Sequence, residues 1–246
     1  MRVSILNIRS GHTQSPGLPL GIAYLAGVLD RDGHTIQLID PLVKSCEEVI
    51  EEILRFEPDL VGISTMTLNF NMAIRTSRLL RKHLSTLSKK VFFCAGGLHP
   101  TVMPEDALRK LGVDFVVIGE GEKTISVVCR SIERSGDYLD LENINGIGFF
   151  DSNANFVRRT HQIVNDLDSL PMPAFKLLDM ELYLRPPGFI RGMIFNRVAS
   201  VISSRGCPFP CTYCSSSAMF KKRTRFHSKE YIVRLLRYLK ENYDID

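Results

Sequence analysis

Up to about residue 135 the chain alternates short apolar runs with amphipathic stretches, and this alternation constrains its fold more than any other feature. Runs at 3–8, 35–39, 59–64, 90–94 and 114–118 read as strands. Residues 20–31, 46–56, 71–87, 105–111 and 122–134 read as helices. In 20–31, Ile22, Leu25, Ala26 and Leu29 recur at helical spacing, and Pro58 stops the helix before the third strand. Five strands alternating with helices predict an α/β fold with a parallel sheet covered on both faces. Right-handed crossovers make it doubly wound. Ligands of such sheets sit outside the carboxyl ends of the strands, which selects the loops after Ile8, Ser64, Cys94 and Ile118.

The chain then changes character. Residues 146–150 and 156–160 read as a hairpin across 151–155. Pro171, Pro173, Pro186 and Pro187 mark 165–190 as an extended connector. Residues 198–203 read as another strand, and Ser228 caps a helix from 229 to about 242 with Glu230 in its first turn. The expected division is 1–140, a linker over 141–195, and 196–246.

Of the six cysteines, Cys46, Cys94 and Cys129 are scattered through apolar or helical patterns, while Cys207, Cys211 and Cys214 crowd into one loop. This asymmetry does not suit a disulfide framework. It suits a reducing cytoplasm and one metal site. A net charge of +4 lacks the strong basic stripe of a nucleic-acid binder. No run reaches the ~18 apolar residues of a membrane span. The start, Met1-Arg2-Val3-Ser4-Ile5-Leu6, turns polar at Asn7, too soon for a signal-peptide core.

The cysteine loop reads Ser204-Arg205-Gly206-Cys207-Pro208-Phe209-Pro210-Cys211-Thr212-Tyr213-Cys214, a C-x3-C-x2-C pattern. Three thiolates on a short loop suit an iron–sulfur cubane and leave one iron open. Structural zinc wants four ligands, and only the distant His227 offers a fourth, so ligand chemistry favours iron. A structural zinc protein is the competing reading. The loop resembles the signature of the radical S-adenosylmethionine (SAM) superfamily. The resemblance implies a 4Fe–4S cluster on Cys207, Cys211 and Cys214, with SAM on the open iron through its amino and carboxylate groups. It further implies reductive cleavage of SAM to a 5′-deoxyadenosyl radical, Tyr213 packing on the adenine, and an electron donor such as flavodoxin or ferredoxin. Arg205 and Gly206 match common neighbours of this loop, while Lys221, Lys222, Arg223 and Arg225 read as solvated surface.

The strand-end loops are Ser64-Thr65-Met66, Ala95-Gly96-Gly97-Leu98-His99-Pro100-Thr101 and Gly119-Glu120-Gly121-Glu122. Their glycines permit close backbone approach to a ligand. Together with Leu18-Pro19-Leu20-Gly21-Ile22-Ala23-Tyr24-Leu25-Ala26 and Asp166-Leu167-Asp168-Ser169-Leu170-Pro171-Met172-Pro173, they are similar to the Rossmann-like cobalamin-binding domain that precedes many radical SAM domains. The resemblance implies cobalamin bound by its benzimidazole tail, with Ser64, Thr65, Gly96, Gly97, His99, Gly119 and Glu120 as cofactor-binding positions. His99 reads either as a pocket residue at a strand's carboxyl end or as a helix-entry residue. Glu120 and Glu122 are candidate carboxylates for catalysis, with Glu122 also suited to the positive end of its helix. Asp40 and Asp59 look like strand-edge residues. Cobalamin-dependent mutases carry D-x-H-x-x-G after the first strand. Here the place reads Asn7-Ile8-Arg9-Ser10-Gly11-His12, with Arg9 where the cobalt-ligating histidine stands and His12 displaced from the ligand position.

A full eight-fold barrel takes about 200 residues or more, and this chain ends one helix beyond Cys214. The expectation is a truncated chain holding the first βα unit of a radical SAM barrel. The resemblance implies a cobalamin-dependent radical SAM enzyme, with cobalamin as methyl carrier in methyl transfer or a related modification or cyclisation. An isolated cobalamin-binding module is the alternative. No catalytic side chain and no substrate are assigned.

Overall fold

The computed structural model describes residues 1–9, 17–42, 44–136, 140–184, 189–190, 193–194 and 197–246. Ser10, Gly11, His12, Pro186 and Pro187 lie outside the described residues.

The predicted alternation is present, with one short helix, α4, inside the expected loop after the fourth strand: β1 (Arg2–Asn7), α1 (Leu20–Arg31), β2 (Thr35–Ile39), α2 (Cys46–Phe56), β3 (Leu60–Ser64), α3 (Phe70–Leu84), β4 (Phe92–Gly96), α4 (Leu98–Val102), α5 (Pro104–Leu111), β5 (Phe115–Val117) and α6 (Glu122–Ser135). Local chemistry explains the ends. Ser45 opens α2 with a capping box: its hydroxyl accepts from the Glu48 N–H at 3.2 Å and the Glu48 carboxylate accepts from the Ser45 N–H at 2.7 Å. Pro104 occupies the first turn of α5, where a missing N–H costs nothing. The fourth strand starts later than its apolar run because pairing with β3 sets its register, from Leu60 opposite Phe92 to Ser64 opposite Gly96.

β1 to β5 are parallel, in the order β2-β1-β3-β4-β5. Chain direction across the sheet reverses between β1 and β3, the switch point where doubly wound sheets open a crevice. The sheet does not stop at five strands. The hairpin β6 (Ile147–Phe150) and β7 (Phe156–Arg158) joins the β5 edge antiparallel and completes seven. One face packs under α2, α3 and α5 through residues such as Ile53, Leu80 and Leu111. The other packs under α1 and α6 through Ile22, Leu29, Val128 and Ile132.

The proline-rich segment is a packed layer rather than a spacer. Val164, Leu167, Leu170 and Phe175 fill a third core between α1 and a late helix. The Ala174 N–H donates to the Ala23 carbonyl at 2.9 Å, and a side chain at Gly27 would meet the Met172 carbonyl oxygen at 2.5 Å. After α7 (Glu181–Leu184) come the two-residue strands β8 (Phe189–Ile190) and β9 (Met193–Ile194).

Residues 198–203 are not the expected strand. Val201 and Ile202 pack against the third core with no strand alongside among the described residues. The strand is reduced to β10 (Ser204–Arg205), which pairs antiparallel with β11 (Arg225–Phe226) across the cysteine loop and α8 (Ser216–Phe220). Helix α9 (Lys229–Tyr243) follows, its Tyr231 N–H bonded to the Ser228 hydroxyl at 3.1 Å as the sequence suggested. Tyr231, Leu235 and Leu239 bury its inner face in the third core. No helix among the described residues is long and apolar enough to cross a membrane.

Candidate functional site

A cavity of ≈360 Å³ opens at the carboxyl ends of β3, β4 and β5 and runs down the α1/α6 face of the sheet. Val3, Ile5, Leu60 and Ile125 make its deep walls apolar. Gly62 lines its floor. It sits mid-strand in the interior of the sheet, where glycine weakens pairing and marks a close approach. A Cβ there would touch the Cys94 sulfur at 3.5 Å, on the cavity wall. Across the cavity, a Cβ at Gly21 of α1 would meet no atom within 4 Å and so project into open space. Burial pushes the Cys94 thiol pKa far up, so this wall is uncharged.

Ser64, Gly96, Gly97, Gly119 and Glu120, five of the positions expected from the strand-end loops, converge on the mouth of this cavity. Gly97 has φ 101°, and a Cβ there would come within 2.6 Å of the Thr65 carbonyl oxygen, so the turn after β4 admits only glycine. Thr65 and His99 are brought close but lie behind the mouth, among the described residues that do not line it. The Thr65 hydroxyl donates to Asn69 Oδ1 at 2.7 Å, and Asn69 in turn donates to the Ile8 carbonyl. His99 stacks on Phe70 with ring centroids 3.7 Å apart, and its Nδ1 lies 3.1 Å from the Thr67 hydroxyl. Burial lowers its pKa, although Asp106 opposes the shift.

Arg9 points elsewhere. It pairs bidentately with Asp40 and donates to the Gly17 carbonyl at 3.0 Å. Asp40 also accepts from the Tyr183 hydroxyl at 2.6 Å, so this carboxylate is a buried anchor rather than a bland strand-edge residue.

The roof of the cavity comes from the other end of the chain: Ile202, Ser204, Arg205, Gly206, Met219 and Phe220. Here the expected solvated reading of Arg225 is overturned. Its guanidinium Nη1 donates to Glu120 Oε2 at 2.6 Å, and Arg205 Nη1 donates to Glu120 Oε1 at 3.0 Å and Glu122 Oε1 at 2.6 Å. All four side chains are at most 8% exposed. Burial opposes the charge on Arg205, but Glu122 and Glu120 outweigh it and raise its pKa. The Arg205 guanidinium lies 4.8 Å from the centre of the Tyr24 ring. Lys221 is also engaged, donating to the His161 carbonyl at 2.6 Å. Glu120 and Glu122 are therefore ion-pair partners of this hairpin. The sequence displays these charges, but no local spacing links Glu120 to Arg225.

His227, the distant candidate for a fourth zinc ligand, is stacked on Tyr231 at 3.9 Å with its Nδ1 2.9 Å from Asp168. Burial lowers its pKa although Asp168 opposes the shift. Cys207 is half-buried, Cys211 and Cys214 are exposed, and all six cysteines are free thiols. Three soft donors in one short loop fit an iron–sulfur cluster chemically. They are not gathered in advance: among the described residues no three His, Cys, Asp or Glu stand close enough to hold a metal. Tyr213 is 91% exposed.

Comparison with known proteins agrees with this geometry. Residues 7–128 match the B12 binding domain. A methyltransferase of Pyrococcus horikoshii, itself uncharacterised, is 32% identical over 232 residues, covering 93% of this chain and 47% of that protein. The anaerobic magnesium-protoporphyrin IX monomethyl ester cyclase of Rubrivivax gelatinosus is 29% identical over 224 residues, covering 87% of this chain and 38% of that protein. The chain thus spans less than half the length of either relative. The cobalamin-dependent SAM radical enzyme OxsB, solved with aqua-cobalamin and SAM bound, shares the fold over 100% of this chain and 32% of its own, with TM-score 0.81 at 19% identity. The radical SAM methyltransferase TsrM of Kitasatospora setae, solved with cobalamin and a 4Fe–4S cluster, does so over 98% and 46%, with TM-score 0.68 at 17% identity. With a B12-binding domain leading through a packed connector into a C-x3-C-x2-C loop, the chain belongs to the cobalamin-binding radical SAM family.

Proposed function

We propose that this chain supplies the cobalamin slot and the cluster-binding loop of a cobalamin-dependent radical SAM enzyme that performs methyl transfer or a related radical modification or cyclisation. The observation that carries the reading is the shared cavity. Its floor is the glycine-opened face of a B12-binding sheet, and its roof is the strand that runs into Cys207. When bound, a 4Fe–4S cluster supplies the electron that cleaves SAM, and cobalamin supplies a methyl carrier.

The residues divide the work. The slot over Gly62 admits the flat, apolar base of the cobalamin tail, and Ser64, Gly96, Gly97 and Gly119 present their backbone at its mouth. Cys207, Cys211 and Cys214 are the three iron ligands, and Tyr213 is exposed beside them to pack on the adenine of SAM. Arg9 is held by Asp40, so the position that carries a cobalt-binding histidine in the mutases offers no imidazole here. The division into 1–140, 141–195 and 196–246 belongs to this reading, as do a small-molecule substrate, an electron donor such as flavodoxin or ferredoxin, and a reducing, cytoplasmic setting.

The competing reading is a cobalamin-binding module without catalysis. Anaerobic reconstitution with iron, sulfide and hydroxocobalamin separates the two. The enzyme reading expects cobalt retained after desalting together with about four irons per chain, the iron lost from a Cys207→Ala, Cys211→Ala, Cys214→Ala variant that keeps its cobalt. Cobalt without iron supports the module. Zinc with neither iron nor cobalt overturns both.

A further inference from the structure

The cysteine-bearing hairpin is a wall of the slot, yet it is not part of the sheet that forms the floor. Among the described residues β10 pairs with β11 and with no strand of the large sheet. Its polar attachment to the B12-binding domain runs through Arg205 and Arg225, which meet Glu120 and Glu122 where β5 turns into α6. Two cations from the hairpin thus neutralise two anions from the sheet domain, and all four charges leave water together. Such a buried set is stable only when complete, because each member alone is a desolvated charge. The hairpin is docked with the set assembled, and an undocked arrangement would have the set rehydrated.

We infer that Glu120 and Glu122 are positioning residues that hold the Cys207–Cys214 loop over the slot through Arg205, so that cobalamin binding and the ordering of the cluster loop are energetically coupled. The inference rests on the proposed function. A ligand in the slot touches sheet residues such as Ser64 and Gly96 and hairpin residues such as Ser204 and Gly206, so it binds the docked arrangement better than the undocked one. Coupling between two sites is reciprocal. Whatever factor cobalamin contributes to ordering the loop, a loaded loop must return to cobalamin affinity. The carboxylates that carry this coupling stand one residue apart, at Glu120 and Glu122, flanking Gly121 at the entry to α6.

The test uses the 246-residue chain without oxygen. Hydrogen exchange of residues 203–226 is followed with and without hydroxocobalamin, and the dissociation constant of hydroxocobalamin is measured before and after loading with ferrous iron and sulfide. The expected result is about a tenfold rise in hairpin protection on adding hydroxocobalamin and a matching, about tenfold, tightening of hydroxocobalamin on loading. In Glu122→Gln both factors shrink towards one, while hydroxocobalamin binding weakens by no more than the lost factor. Arg205→Gln removes the cation whose Nη1 bridges the two carboxylates, so it gives the same result from the hairpin side. Bound hydroxocobalamin with unchanged hairpin protection overturns the inference and leaves the proposed function standing. So does coupling that survives both variants. Failure of the parent chain to bind hydroxocobalamin removes the inference together with the function on which it rests.

Discussion

At the scale of single residues, charge carries the most information and was the least legible beforehand. Arg225 read as solvent-facing because its neighbours Lys222 and Arg223 are, and a run of cations usually is. Its partner stands 105 positions earlier, and no local pattern encodes a contact at that separation. Glu120→Ala is expected to destabilise the fold by about 3–5 kcal/mol, because it takes the carboxylate from the buried Arg225 guanidinium and leaves Arg205 with Glu122 alone. A urea midpoint within error of the parent would show those arginines to be hydrated. The buried histidines set a pH dependence. His99, His161 and His227 all have pKa values lowered from 6.5, mainly by burial. The unfolded chain therefore binds more protons as the solution acidifies. Their contribution to stability is complete above the unfolded pKa of about 6.5 and is lost as pH falls through the lower folded values. The thermal midpoint is expected to drop between pH 7 and 5, and a flat profile would contradict the burial of these rings.

At the scale of elements, periodicity was sufficient for the sheet and its helices and insufficient for the hairpins. Helices α1 and α2 stand where apolar spacing and the Ser45 cap put them. The strand expected at 198–203 did not form, because an apolar run becomes a strand only beside a partner, and Val201 and Ile202 found a helix-lined core instead. The functional loops were legible as glycine clusters at strand ends, but the glycine that opens the slot, Gly62, was hidden inside an ordinary strand pattern. Filling it separates binding from stability. Gly62→Leu is expected to reduce hydroxocobalamin retention at least tenfold while shifting the melting midpoint only slightly, since its first contact, with the Cys94 sulfur, is an ordinary 3.5 Å. Equal retention by parent and variant, read as cobalt after desalting, would move the tail to another site.

At the scale of the whole molecule, the third core makes the two ends of the chain one cooperative unit. Tyr24 and Val28 of α1 share it with Leu235 and Leu239 of α9, through the connector. Leu235→Ala is expected to cost about 2–5 kcal/mol and to lower the unfolding midpoint of the sheet by the same amount as that of α9. Two separated transitions, seen by probes in β4 and α9, would mean the core does not bind the ends together. The strand order carries a consequence for synthesis. Once β1 and β2 have paired, each later strand from β3 to β7 adds to the same advancing edge, never inserting between strands already in place. A nascent chain leaving the ribosome thus zips its sheet in the order in which it is made. Its advancing border passes from strand to strand, until the three-residue β7, which ends at Arg158 and is followed by Arg159, closes that border with charge.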